Sequence, residues 1–513
     1  MENATQFLPN ILLGLETALV PTNLFYCFLG VVFGMFIGVL PGIGAMTAIS
    51  LLFPITIYLE PTAALIMLAG IHYGASYGGH VASILLNLPG TTSSAVVTLD
   101  GYPMAQNGKA GVALMATTVA SFLGGSIAIV GMMLLAPLVA GVALDIGPSD
   151  YFALMVLGLV AASTISTGSA LKGVAMMLVG LAIGLIGIDP NTATNRFTFG
   201  ILRLSDGISL VVLAMGLFGI AEVIANARVK PGDNTNPIRV SFKSMFLSRE
   251  EVRQSVKPVF RGSAIGFFCG ILPGLGGLIA SYMAYAAEKR SSKTPERFGK
   301  GAIEGIVGPE ASNNSADQAS FIPTMTLGIP GSANLALMLS MLMIHGITPG
   351  PTIITNHPNL FWGLIMSFWI GNLILLILNI PLIGIWVRIL SIPRVYLIPA
   401  IVTLVCFGVY SVGNDPFHVW LVLVFGVVGY GMRLLNLPAA TLLLGYVLGP
   451  LLETNFKNAL ILARGDIVTV VSRPVSGTVL FIAALLLIWG IWSAVRSSRA
   501  VSDKSLTTNQ TQN

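Results

Sequence analysis

The chain has 513 residues, of which 55% are apolar and only 9% charged, and its mean hydropathy is +0.86. Soluble domains carry about a quarter charged residues, so this composition excludes a soluble fold and leaves room for roughly ten to twelve bilayer crossings of about 20 residues. The net charge of +5 lies in a few short loops, which excludes nucleic acid as a partner. The three cysteines (Cys27, Cys269, Cys406) read as packing residues, since neither they nor the five histidines show disulfide or metal spacing.

In chain order, residues 1–22 lack the basic start and cleavage site of a signal peptide. Pro9 and Pro21 bracket an amphipathic Ile11–Val20 stretch, read as an interfacial segment. Apolar runs at 24–40 and 43–58 then flank Leu40-Pro41-Gly42. Each run is short for a full crossing at about 1.5 Å per residue, which predicts a re-entrant hairpin. A span at 62–88 follows and ends in Asn87-Leu88-Pro89-Gly90-Thr91-Thr92-Ser93-Ser94. Further apolar segments lie near 110–140, 151–170, 172–188 and 207–227. The polar, basic stretch that follows, with Pro231-Gly232-Asp233-Asn234, reads as a linker.

The second half restates the first. Gly34, Gly38, Leu40-Pro41-Gly42 and Gly44 recur at the same spacing as Gly266, Gly270, Leu272-Pro273-Gly274 and Gly276. The Asn87–Ser94 stretch recurs at Gly328-Ile329-Pro330-Gly331-Ser332-Ala333-Asn334. Ser121-Phe122 with Gly125 recurs as Ser367-Phe368 with Gly371, and Pro148 with Tyr151 as Pro393 with Tyr396. The chain therefore divides into an N-terminal segment (1–22), a first transmembrane repeat (23–227), a cytoplasmic linker (228–258), a second repeat (259–496) and a polar tail (497–513). Near 417–452 the second copy is longer, and the correspondence lapses.

Loop charge orients the copies, because basic residues favour cytoplasmic loops close to span ends. Arg253, Lys257 and Arg261 precede the second hairpin, and Lys289, Arg290 and Lys293 follow it. The first hairpin has no Lys or Arg before Lys109, only Glu2, Glu16 and Glu60. The acidic loop at Asp145 and Asp150 matches a basic one at Arg388 and Arg394. Opposite charge at corresponding loops predicts inverted repeats. The expected fold is an all-α polytopic membrane protein: two inverted-topology repeats with re-entrant hairpins and discontinuous helices.

Proline removes a backbone donor and glycine permits left-handed dihedrals, so each Pro-Gly pair interrupts a helix. Irregular backbone in hydrocarbon is tolerated only in protein or along a wet cavity, and matched interruptions in two halves mark a secondary transporter's binding site. A helix start exposes N–H groups that favour anions, carboxylates included. Asn87, Gly90, Thr91, Thr92 and Ser93 in the first half, and Gly331, Ser332 and Asn334 in the second, are therefore candidate substrate-binding residues. The alternative is that they only cap helices.

The stretch Pro309-Glu310-Ala311-Ser312-Asn313-Asn314-Ser315-Ala316-Asp317 has two readings. It is a solvated loop, or Asn313 and Asn314 complete the site, since amides both donate to carboxylates and accept from Na⁺. Glu310 and Asp317 are read as cation ligands or as partners of Arg297 or Lys300. Gly42, Gly44, Gly274, Gly276 and Asp317 are the cation-binding candidates. His72 and His80 lie in a glycine-rich span, where helix packing is the plainer role and a substrate or proton role for His80 the sharper one. Asp100-Gly101-Tyr102-Pro103 reads as a locally capped turn.

Taken together, Gly38-x-Leu40-Pro41-Gly42-x-Gly44-Ala45, Tyr77-Gly78-Gly79, Asn87-x-Pro89-Gly90, Asp100-Gly101-Tyr102-Pro103, Pro309-Glu310-x-x-Asn313-Asn314 and Gly328-Ile329-Pro330-Gly331-Ser332 resemble the large membrane subunit of the tripartite tricarboxylate transporters, over roughly 25–475. His80 stands where a small hydroxyl residue is common in that pattern, Thr91 where some relatives carry Glu, and Asp317-Gln318 replaces small residues. The resemblance implies uptake of di- or tricarboxylates such as citrate across a bacterial inner membrane, driven by a cation gradient, usually Na⁺. It implies no cofactor, and two partners: a periplasmic substrate-binding protein and a small four-span membrane subunit. A transporter of an uncharged solute would need no anion-binding helix starts. An intramembrane enzyme would need a catalytic constellation, and the sequence displays none.

Overall fold

The structure is a computed structural model that describes residues 2–40, 43–165, 169–189, 192–227, 242–272, 275–390 and 394–510. Pro41, Gly42, Pro273, Gly274, Pro393 and residues 228–241 of the expected linker lie outside these residues. The chain is an all-α polytopic membrane protein, and the β-structure among the described residues is one two-residue pair of strands. Among the described residues, five helical stretches are long and apolar enough to cross a bilayer: Pro21–Val39, Ser93–Ala143, Pro358–Asn379, Pro416–Leu434 and Pro474–Trp492. Seven more apolar helices are shorter than that. Proline and glycine breaks cut several segments below crossing length, and polar residues fill the inner faces of others.

One compact unit comprises 1–144 and 209–430. It opens with α1 (Glu2–Leu19), α2 (Pro21–Val39), α3 (Gly44–Thr56) and α4 (Pro61–Leu86). After a 3₁₀ turn at Ser93–Val97 come α5 (Thr98–Met104) and α6 (Ala110–Ala143). The N-terminal α1 packs along a later helix of this unit, with Gly14 against the backbone of Trp362.

The other unit, 145–208 and 431–513, begins with α7 (Pro148–Ile165), α8 (Ala170–Gly184), β1 (Gly187–Ile188) and β2 (Asn195–Arg196). The strands pair antiparallel, with Gly187 opposite Arg196.

The first unit resumes with α9 (Leu210–Ala214), a wide turn at Met215–Ile220, α10 (Ala221–Ala227) and α11 (Arg249–Ile271). Ser248 starts α11 with a reciprocal cap: its hydroxyl accepts from the Glu251 N–H and the Glu251 carboxylate accepts from its own N–H. Then follow α12 (Gly276–Ser291), α13 (Glu304–Ala319), α14 (Phe321–Leu327), α15 (Ala333–Ile344), α16 (Ile353–Asn356), α17 (Pro358–Asn379), α18 (Ile383–Ile389), α19 (Arg394–Gly413) and α20 (Pro416–Leu434). The second unit closes with α21 (Ala439–Leu462), α22 (Ile467–Ser472) and α23 (Pro474–Gln510). Each unit draws chain from both sequence repeats.

Small residues bring backbones together, as lipid-embedded helices require. A Cβ at Gly30, Gly34 or Gly38 of α2 would collide with the carbonyl oxygens of Met67, Ile71 and Ala75 on α4. The same device recurs in the second half, where Gly262, Gly266 and Gly270 of α11 meet the carbonyls of Gly308, Ser312 and Ala316 on α13. In the second unit Gly180 and Gly445 do this for α8 and α21. There Arg196, Asp189, Glu453 and Lys457 also close a ring of ion pairs, from 2.7 Å for Lys457–Glu453 to 3.5 Å for Lys457–Asp189. Large apolar side chains such as Leu134, Leu138, Phe407, Trp420 and Trp489 face outward, as a lipid-facing surface demands.

Candidate functional site

The two sequence repeats bring equivalent residues face to face. Matching the glycine contacts above aligns α4 with α13, and the alignment carries through to the two Pro-Gly breaks. Asn87 ends α4 in the left-handed region (φ 57°), and Gly328 ends α14 in the same way (φ 68°). Pro-Gly follows at the same spacing in both, at 89–90 and 330–331. Gly90 lies against Gly79, and Gly331 against Ser320, its counterpart. The 3₁₀ turn after the first break packs on α12 and α13, while α15 after the second packs on α3 and α4. Each interrupted helix start therefore rests on the other half.

Polar side chains fill the space between α4 and α13. His72 Nε2 lies 3.6 Å from Asp317 Oδ1, and Ser76 donates to Asp317 Oδ2 at 2.6 Å. Two turns on, His80 Nδ1 is 3.2 Å from Glu310 Oε1. Rising numbers on one helix meet falling numbers on the other, so α4 and α13 run in opposite directions. Asn334, beside the second break, bonds His72 Nδ1 at 3.1 Å and ties that break to the network. The Asp317 side chain keeps 13% exposure against 1% for Glu310, so Asp317 is the less deeply buried of the two carboxylates.

The sequence candidates occupy distinct settings. Asn313 is buried with neither amide atom bonded, one of several such atoms among the described residues. A Cβ at Gly277 would collide with Asn313 Oδ1 and stand 3.2 Å from Asp317 Oδ1, so the start of α12 is laid against two oxygens. Asn314 is engaged instead: its Nδ2 lies within donating distance of Ser121 Oγ (2.9 Å), Glu310 Oε1 (3.3 Å) and the Glu310 carbonyl (3.1 Å), three acceptors that share its two hydrogens. Thr91 Oγ1 reaches Ser93 Oγ at 3.3 Å, and the Thr91 N–H donates to Ser94 Oγ at 3.1 Å. Asn87 and Thr92 are exposed, and Ser332 and Asn334 are half-buried. Ser332 caps α15 with a 3.4 Å bond from the Leu335 N–H. Gly44 and Gly276 hold positive φ, 67° and 57°, at the starts of α3 and α12.

Three sequence expectations change. The Pro309–Asp317 stretch is a buried helix, not a solvated loop, because its polar groups meet partners on α4 and α6. Glu310 and Asp317 pair with histidines; Arg297 is bound to Glu304 at 3.6 Å. Asp100 does not cap a local turn: its Oδ1 accepts from the N–H groups of Gly299, Gly301 and Ala302, each at 2.8 Å, and its Oδ2 from Tyr285 at 3.0 Å. Sequence reasoning also missed Ser76 and Asn372, and singled out Tyr77 only within the Tyr77-Gly78-Gly79 motif. Tyr77 donates to Asn372 Oδ1, whose amide binds the Phe122 carbonyl at 3.0 Å. For Ser76 and Asn372 the sequence signal was a polar residue on an otherwise apolar face.

A family model described as the tripartite tricarboxylate transporter TctA family matches residues 24–444. An uncharacterized 52.8 kDa protein in the TAR-I ttuC' 3'region of Agrobacterium vitis is 46% identical over 490 residues, 96% of this chain and 97% of that protein. An uncharacterized protein in the TAR-II ttuC' 3'region of the same organism is 48% identical over 234 residues, 46% of this chain and 97% of its own length. No solved structure matches.

Proposed function

Because the chain belongs to the tripartite tricarboxylate transporter TctA family, we propose that it carries di- or tricarboxylates such as citrate across the bacterial inner membrane with Na⁺ as the coupling ion. It works with a periplasmic substrate-binding protein, which delivers the solute, and with a small four-span membrane subunit. The observation that carries this reading is the crossed packing of the two Pro-Gly helix starts on the opposite half's helices. A helix start favours an anion. The oxygens of Asn313 and Asp317 beside Gly277 suit a hard cation.

The opposite directions of α4 and α13 support inverted topology, and the opposite loop charges agree with it. Alternating access then moves one half against the other around this site. Everted and right-side-out vesicles holding the three-component system test the reading with radiolabelled citrate, malate and succinate. Uptake of one of these that collapses with the Na⁺ gradient supports it. Uptake indifferent to Na⁺ contradicts the ion, and no uptake of any of them contradicts the carboxylate.

A further inference from the structure

The internal repeat shows where this site departs from symmetry. Ser76 and Asp317 are counterparts, 241 residues apart, and touch each other. Under the same interval, His80 corresponds to Phe321 and Glu310 to Ala69. The buried His80–Glu310 pair thus has an apolar counterpart, Phe321 and Ala69, both buried. Neither helix packing nor the duplicated scaffold calls for an imidazole and a carboxylate there.

Burying that pair has an electrostatic consequence. His80 is 0% and Glu310 1% exposed. Glu310 Oε1 accepts from Ser121 Oγ at 3.0 Å and from Asn314 Nδ2 at 3.3 Å, besides facing His80 Nδ1. An ionised carboxylate is the form that accepts from several donors at once. Facing a neutral imidazole, it would be an uncompensated buried charge, which low-dielectric surroundings penalise heavily. One proton on His80 makes the pair neutral. The remaining atoms, His80 Nε2 and Glu310 Oε2, have no hydrogen-bond partner among the described residues.

Several other ionisable groups on the surrounding helices have partners of their own. On α4 they are Tyr73, Tyr77 and His72, with Tyr77 directed to Asn372 and His72 to Asp317. On α13 they are Asp317 and Glu304, the latter bound to Arg297. On α12 and α11 Glu288 pairs with Arg261 at 3.1 Å, and Asp100 of α5 is held by Tyr285 and backbone. No Asp, Glu, Lys, Arg or His lies on α6, α14 or α17.

We propose that His80 and Glu310 form a buried proton-binding site, distinct from the helix starts that face the solute, and that its proton travels or turns over with the transport cycle. One proton passes from a hydronium ion to the imidazole: an O–H bond breaks, an N–H bond forms on the ring nitrogen's lone pair, water is left behind, and no oxidation state changes. The link to transport rests on the carboxylate reading above, whereas the proton itself does not.

The test uses the full-length chain in lipid nanodiscs, labelled with nitrogen-15 at histidine. Solid-state NMR follows its imidazole signals from about pH 5 to about pH 9, around the ordinary histidine value of about 6.5. Loss of one signal in His80→Gln assigns it. The expected result is a His80 imidazole carrying a proton on both ring nitrogens near neutral pH, with that doubly protonated signal lost in Glu310→Gln. A His80 uncharged throughout, or one unchanged by Glu310→Gln, overturns the site. Carboxylate uptake by the assembled system then reads the coupling. Loss of its pH dependence in His80→Phe, which copies Phe321, supports the role, and an unchanged pH profile overturns it. A failed carboxylate reading shows separately, as wild-type vesicles that take up no carboxylate while the NMR result stands.

Discussion

Ser76 donates a hydrogen bond to Asp317 at 2.6 Å, and the two residues hold the same place in the two halves of the chain. A contact between counterparts lies on the relation that interchanges the halves. It is where the two sets of helices must stay in register or separate during a transport cycle.

That contact has a measurable strength. A hydrogen bond to a charged group contributes about 1.5–3 kcal/mol. Ser76→Ala and Asp317→Asn, alone and combined, should show a coupling of that order in apparent ion or solute affinity. Additive effects would mean that the two side chains act independently.

The glycines divide into two classes. A Cβ at Gly266 would collide with the Ser312 carbonyl, so Gly266→Ala should strongly lower the melting temperature or prevent insertion. At Gly44 and Gly276 a Cβ meets nothing within 4 Å, but φ is positive. Alanine there should cost only about 1 kcal/mol of backbone strain. Thermal unfolding of the purified variants, read by intrinsic fluorescence, separates the classes.

Asp100 fastens the loop at 299–302 to α5. Asp100→Ala leaves the buried Ala302 N–H without its acceptor, at about 1–3 kcal/mol. The melting temperature should fall while solute affinity in the surviving protein holds. A lowered affinity at unchanged stability would instead put Asp100 in the transport site.

Topology is testable through single cysteines at Glu60 and Lys293, in a background lacking Cys27, Cys269 and Cys406. Impermeant thiol reagents should reach them from opposite sides of the membrane. Labelling of both from one side contradicts inverted repeats.

What could be read in advance followed from local chemistry. Pro89-Gly90 and Pro330-Gly331 announce helix breaks because proline and glycine act on their own backbone. The all-α membrane fold followed from apolar content alone. The pairing of His80 with Glu310 was not legible, since it joins residues 230 positions apart through helix packing that no local pattern encodes. Asp100 misled for a related reason: its partners are chiefly backbone N–H groups, which carry no sequence signature. The stretch around Asn313 looked equally like a loop, because polar residues with low helix propensity become helical here by finding partners on α4 and α6. The two compact units were hidden as well, because each is assembled from distant stretches of chain.

The central claim is that the two Pro-Gly helix starts hold the solute, and the side chains one residue beyond each glycine test it most directly. Thr91→Ala and Ser332→Ala remove one hydroxyl each; the Ser332 cap is a long 3.4 Å bond, so its loss should cost stability about 1 kcal/mol or less. Uptake kinetics of the assembled system in vesicles, with each variant's expression and melting temperature checked, gives the apparent affinity for solute and for Na⁺. The expected result is a weakening of roughly ten- to a hundredfold for one or the other, with the protein still inserted. Unchanged affinities in both variants, with only stability lowered, would reduce the two motifs to helix caps and contradict the site.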